Sequence, residues 1–196
     1  MEMEERLIIG ITMGDPASIG PEITVKALSL EEIYHKCRPL VIGDANVMEA
    51  AVRIVGKDGI KIHPVHSVDE ALFEPGTIDV YDMGLVDMDQ LERGKVSAMA
   101  GEAAFRYVEK VIQMALAGEV DGTVTNAFSK EAINLAGHHY SGHTEVYADM
   151  TGTKKYTMML AHENIRVVHV STHVSLREAC ERVKKDRVLE VIRIAY

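Results

Sequence analysis

Residues 137–177 carry six of the nine histidines in this 196-residue chain. Imidazole titrates near neutral pH and ligates zinc and related divalent ions, so histidines gathered in one stretch point to proton transfer or metal binding. Two polar signatures lie within it, Ser141-Gly142-His143-Thr144-Glu145 and Ser171-Thr172-His173-Val174-Ser175. Each histidine also has a plainer reading. A histidine past a strand end is as readily a surface or core residue as a ligand. His169 sits inside an apolar run and reads as packing, while His138 and His139 read as part of an exposed turn. Lys130, just beyond another apolar run, is either a partner for a phosphate or carboxylate or a solvated surface lysine.

The elements that must position these groups are legible from hydropathy and punctuation. Val167, Val168, His169 and Val170 form an apolar strand, and Ser175-Leu176-Arg177-Glu178 has the S-x-x-E form of a helix capping box. His173 therefore falls in a strand-to-helix turn, where open α/β sheets place functional side chains. Around His143 the pattern repeats, with Gly137 and Gly142 leading to a helical run ending near Met150. Thr144 suits an N-cap there, and free backbone donors would suit an anion.

Leu7-Ile8-Ile9-Gly10-Ile11 is a continuously apolar run, the mark of a strand buried on both faces. It leads into Thr12-Met13-Gly14-Asp15-Pro16-Ala17-Ser18-Ile19-Gly20-Pro21-Glu22, a Gly-rich turn whose Pro21 and Glu22 open a helix. This turn has neither the Gly-Lys-Ser/Thr of a phosphate-binding P-loop nor the G-x-G-x-x-G of a dinucleotide site. Further strands are predicted over residues 39–44, 60–63, 78–82 and 120–125. Helices are predicted over 45–55 and 97–117, the latter stopped by Gly118. Residues 156–161 and 165–170, joined through Asn164, read as a β-hairpin, so antiparallel pairing accompanies the parallel strands. Asp186 is the expected N-cap of a last helix over 187–196.

Composition bounds the function. Hydrophobic residues make up 47% and charged residues 26%, ordinary for a globular protein with a real core. A formal net charge of −9 argues against nucleic acid as the main partner. No stretch reaches the roughly 20 apolar residues of a membrane span. The acidic start Met1-Glu2-Met3-Glu4-Glu5 is unlike an export signal, and Cys37 and Cys180 form no C-x-x-C pair, so a cytoplasmic protein with reduced thiols is expected.

Three motifs in order, residues 12–22, Gly142-His143-Thr144-Glu145 and 171–177, resemble signatures of the 4-hydroxythreonine-4-phosphate dehydrogenases of pyridoxal-phosphate biosynthesis. Residues 136–145 are similar also to the sister branch acting on D-threonate or D-erythronate 4-phosphate. The resemblance implies a three-layer α/β/α fold with a mixed sheet, like isocitrate and isopropylmalate dehydrogenases. It divides the chain into a first α/β domain over residues 1–125 and the N-terminal part of a second over 126–196. It implies a homodimer that uses NAD or NADP and a divalent metal (zinc, magnesium, cobalt or manganese) to oxidise and decarboxylate a small 4-phosphorylated hydroxy acid. By motif, His173 matches one of three metal ligands, His143 and Thr144 substrate contacts, and Lys130 an active-site lysine, with Lys130 and His143 the catalytic pair. Asp15 matches a position in the first loop and is taken as substrate-binding, and the cofactor-binding residues stay unassigned.

The chain departs from the family pattern at Ser18, where glycine is usual and a positive φ is expected to be harder to reach, and in residues 126–130, which lack a proline. The other two metal-ligand histidines belong to a C-terminal half that lies outside this sequence, which is expected to be a truncated product. Three readings follow: a dehydrogenase whose isolated activity depends on that half, a non-catalytic dimerising or anion-binding module, or a histidine-rich metal hydrolase. The last lacks any H-E-x-x-H pair.

Overall fold

The computed structural model describes residues 6–172 and 174–196. The chain divides into two compact units at Thr151/Gly152.

In the first unit, strands β1 (Ile8–Thr12), β2 (Arg38–Gly43), β3 (Lys61–Val65), β4 (Thr77–Asp82) and β5 (Gly122–Thr125) form one sheet in the order β3-β4-β2-β1-β5. All four pairings are parallel. The order follows from sequence character. Leu40, Val41 and Ile42 of the central strand β2 are fully buried, whereas β3 carries Pro64, which lacks a ladder donor and is tolerated at an edge. Parallel strands need crossovers. Helices α1 (Gly20–Leu28) and α2 (Glu31–Lys36) link β1 to β2, α3 (Ala45–Val55) links β2 to β3 and α4 (Ala98–Ala117) links β4 to β5, while α5 (Lys130–Leu135) and α6 (His143–Met150) follow β5. Helix α4 packs on β1, β2 and β5, and α3 packs on β3, β4 and α1.

Local signals set the helix ends. Ser97 caps α4 by accepting from the Ala100 amide at 3.2 Å, and Gly118, at φ 74°, ends it in the left-handed conformation. At α1 the expected proline occupies the first turn. Ser129 caps α5 through the Ala132 amide.

The second unit holds a two-stranded antiparallel ribbon, β6 (Met159–His162) and β7 (Ile165–Val168), followed by α7 (Leu176–Arg182) and α8 (Lys185–Ala195). The expected hairpin is present, in a sheet of its own and shorter than read, with Glu163 at φ 47° and Asn164 in its turn. Ser175 accepts from the Glu178 amide, as the capping-box spacing implied. Asp186 is not the cap of α8; Lys184 is, and Asp186 lies in the first turn, where an acid suits the positive helix end. The Arg187 guanidinium joins α8 to the ribbon's flanks through the carbonyls of Val170 and Tyr156.

Polar groups that sequence could not rank hold the first unit together. Asp79 is buried and accepts from His63 Nδ1 (2.8 Å) and from the Leu72 (3.1 Å) and Phe73 (2.8 Å) amides, which fixes the turn where Phe73 has φ 54°. Asp44, just past β2, accepts from the Tyr107 hydroxyl at 3.1 Å and the Val86 amide at 2.6 Å. Cys37 and Cys180 are free thiols. Among the described residues, no helix is long and apolar enough to cross a membrane.

Candidate active site

The site is built at the carboxyl ends of β1 and β5, neighbours in the sheet. Thr12 ends β1 and Asn126 follows β5. The Asn126 amide donates to Thr12 Oγ1 (3.1 Å), while its side chain donates to the Thr12 carbonyl (3.0 Å) and to Thr24 Oγ1 (2.7 Å). One asparagine thus ties the β5 exit to the β1 loop and to α1. The two loops then run side by side, with the Asp15 amide donating to the Ala127 carbonyl at 3.1 Å.

Gly14 makes that approach possible. It has φ 80°, and a β-carbon there would lie 2.6 Å from the Ala127 carbonyl oxygen. Ser18 needs no such freedom. Positive φ among the described non-glycine residues occurs only at Phe73 and Glu163, so serine for glycine at position 18 strains nothing, contrary to expectation.

Asp15 is buried, and its carboxylate accepts from the Ala17 amide at 2.8 Å. Burial raises its pKa, opposed by hydrogen bonds from the Ala17 and Ser129 backbones. It braces the loop and lines a cleft of about 290 Å³ shared with Ser18, Glu22, Arg93, Lys95 and Ser129. Arg93 and Lys95, which motif reading did not single out, arrive because the Gly94 amide donates to the Ala17 carbonyl at 2.7 Å. Arg93 and Lys95, the latter paired with Glu92, line the cleft together with Asp15 and Glu22, so its lining is of mixed charge.

His143 is the first residue of α6. The cap before it is Gly142, and Thr144 lies exposed in the first turn instead of capping, because the chain enters the helix through an extended glycine at φ 170°. Glu145 reaches back to accept from the Ser141 amide at 2.9 Å, so one of the chain's own carboxylates sits at this helix start. The His143 ring lies against Phe128, with centroids 3.9 Å apart and planes inclined by 32°. Its Nε2 is buried with no hydrogen-bond partner, an arrangement that costs about 1–3 kcal/mol unless a ligand completes it. Burial lowers the ring's pKa, and hydrogen bonding to the Asn126 backbone partly offsets that.

Lys130 occupies the first position of α5 and is exposed. Its charge helps keep Glu145 ionised, after the larger effect of the Ser141 hydrogen bonds. Residues 126–130 therefore touch or adjoin Asp15, Lys130 and His143 alike. His173 lies outside the described residues. His138 is not in an exposed turn: it stacks on Phe105 at 3.7 Å, nearly parallel, and pairs with Glu102 at 2.5 Å. His139 is exposed, and His169 is half-buried beside the Met158 carbonyl. Among the described residues no three His, Cys, Asp or Glu side chains are gathered as metal ligands. These residues alone do not make a metal site.

A parallel sheet with a half-buried imidazole and a buried carboxyl beside one segment at its strand ends defines an α/β protein with a candidate site at the carboxyl edge of the sheet. The chain belongs to the family described as pyridoxal phosphate biosynthetic protein PdxA, whose model matches residues 35–196. It is 43% identical over 185 residues to D-threonate 4-phosphate dehydrogenase of Cupriavidus necator, covering 94% of this chain and 55% of that protein. The crystal structure of a 4-hydroxythreonine-4-phosphate dehydrogenase from Burkholderia phymatum superposes with a TM-score of 0.90 at 42% identity, over 96% of this chain and 56% of that one. That of the Klebsiella pneumoniae enzyme of the same name gives 0.91 at 37% identity, over 97% and 57%. The fold is thus the isocitrate dehydrogenase-like one. The chain spans about half the length of the relatives it matches.

Proposed function

We propose that the protein to which this chain corresponds oxidises the secondary alcohol of a 4-phosphorylated hydroxy acid, such as 4-hydroxy-L-threonine 4-phosphate, to a β-keto acid that then loses carbon dioxide. The observation that carries this reading is the buried, unpartnered Nε2 of His143, in the motif Gly142-His143-Thr144-Glu145, in a chain of the PdxA family. A neutral imidazole acceptor suits an alcohol whose proton must leave as its carbon–hydrogen bond gives up a hydride. In this reading His143 accepts that proton, Thr144 contacts the substrate, Lys130 supplies a positive charge within reach of the anionic substrate, and Asp15 shapes the first loop. NAD or NADP would take the hydride, and a divalent metal, with His173 as one ligand, belongs to the same reading.

The alternative is D-threonate or D-erythronate 4-phosphate as substrate, supported by the name of the Cupriavidus relative. The two substrate families differ at a single amino or hydroxyl group. A third reading is a non-catalytic dimerising or anion-binding module. The domain division at 125/126, the homodimer and a cytoplasmic location are proposed with the first reading.

Turnover separates these. The 196-residue chain, and the same chain extended to its relatives' length, are assayed for NADH or NADPH formation with both substrates and with zinc, magnesium, cobalt or manganese. Activity in the extended chain, lost in its His143→Ala variant, supports the dehydrogenase, and the better substrate names the branch. Silence of the extended chain with every substrate and metal overturns it in favour of the module.

A further inference from the structure

We infer that the cleft beside Asp15 is a subsite for a phosphorylated, hydroxyl-bearing small molecule, with Arg93 meeting its phosphate and Glu22 accepting from its hydroxyl groups. The ligand class rests on the phosphorylated substrate proposed above; the residue that meets the phosphate goes beyond it.

The cleft has a volume of about 290 Å³ and is lined by the loop after β1, by residues 93–96 and by Ser129. Pockets for small ligands run from roughly 300 to 1,000 Å³, so this one holds a single small molecule or one end of a larger one. Its walls are held by backbone bonds. The Gly94 amide donates to the Ala17 carbonyl at 2.7 Å, and the Asp15 amide donates to the Ala127 carbonyl at 3.1 Å. Ile19 and Val96 give the cleft an apolar side, exposed at 59% and 45%, against which the carbon part of a ligand can lie.

Of the two cations in the lining, Lys95 is paired with Glu92. Arg93 is exposed and forms no ion pair among the described residues. A guanidinium without a carboxylate keeps its planar fork of donors for a ligand, and that fork matches two oxygens of a phosphate. The Ser129 hydroxyl, which accepts from the Ala132 amide at 3.2 Å, still has a proton to donate into the cleft. The acids decide what else the ligand must carry. Asp15 is buried with one carboxylate oxygen on the Ala17 amide, and Glu22 is half-buried. Two carboxylates repel a second anionic group and accept from hydroxyls. A phosphate ester of a polyol suits both sides of this lining, and a carboxylate on the same molecule lies outside the cleft.

The test is isothermal titration calorimetry of the 196-residue chain with D-erythronate 4-phosphate, D-erythronate, NAD and NADP. D-erythronate 4-phosphate is expected to bind, and D-erythronate to bind at least about tenfold more weakly, the cost of one charge-assisted contact. Arg93→Gln is expected to remove that preference, and Lys95→Gln, which loses a cation already paired, to have the smaller effect. Arg93-dependent binding of NAD or NADP in place of the small ester keeps the subsite and assigns its phosphate to the cofactor. Equal affinity of the unaltered chain and a folded Arg93→Gln for every phosphate overturns the proposal. So does the absence of binding of any phosphate by the unaltered chain, whether or not the variant folds. Failure of the functional reading would look different: the extended chain would show no turnover while Arg93-dependent binding persisted.

Discussion

The Asn126 side-chain amide donates to the Thr24 hydroxyl at 2.7 Å, across 102 positions of sequence. Because the same amide group also donates to the Thr12 carbonyl, one side chain joins the exits of two adjacent strands to the helix that follows the first. Asn126→Ala removes both donors from a part-buried site. A loss of about 1–3 kcal/mol is expected, measured by urea denaturation, with Asn126→Asp also destabilising because a carboxylate cannot donate to the Thr12 carbonyl.

Gly14 and Gly118 both have positive φ, 80° and 74°, but only Gly14 would drive a β-carbon into backbone, 2.6 Å from the Ala127 oxygen. Gly118→Ala is expected to cost about 1 kcal/mol from conformation alone. Gly14→Ala is expected to cost more, about 1–3 kcal/mol, because the two loops must also part. Equal melting temperatures for the two variants would show that the loops are not held in contact.

Tyr107 and Asp44 meet in the interior, where burial and the Asp44 charge raise the phenol's pKa far beyond the physiological range. The hydroxyl is therefore a permanent donor. Tyr107→Phe leaves Asp44 with the Val86 amide but without this bond, and a destabilisation of about 1–3 kcal/mol is expected in thermal or chemical unfolding.

The His143 pKa is lowered in the fold from 6.5, so between the folded and unfolded values the unfolded chain binds more protons. Stability linked to this group is then fully present above pH 6.5 and lost as pH falls through the lowered folded value. Melting curves of the unaltered chain and His143→Asn should diverge below pH 6.5, with the unaltered chain falling more steeply. Parallel curves would place the ring in water.

His138→Ala removes the stacking on Phe105 and the partner of Glu102, and with them a link from α4 to the segment before α6. Burial alone would raise the Glu102 pKa; hydrogen bonds from His138 and Arg106 outweigh it and hold the carboxyl low. A stability loss of about 0.5–1.5 kcal/mol from the ring contact is expected by denaturant titration.

Sequence by itself determined the parallel strands, the helix stops and the motif positions. These are written in short-range signals: Gly118 can enter the left-handed region, Ser97 and Ser175 can cap, and a run such as Leu40-Val41-Ile42 can only be buried. Tertiary structure decided what the polar residues do. Asn126 as a tie, Phe128 as the wall against His143, Asp44 as the acceptor for Tyr107 and the delivery of Arg93 and Lys95 to the cleft all depend on pairs or groups far apart in the chain. His138 reads locally as a turn residue, and only the proximity of Phe105 and Glu102 makes it a packed one. The physical reason is one of range. Caps and hydropathy act within a few residues of backbone, whereas the pKa, tautomer and partners of a side chain are set by whatever the fold carries next to it.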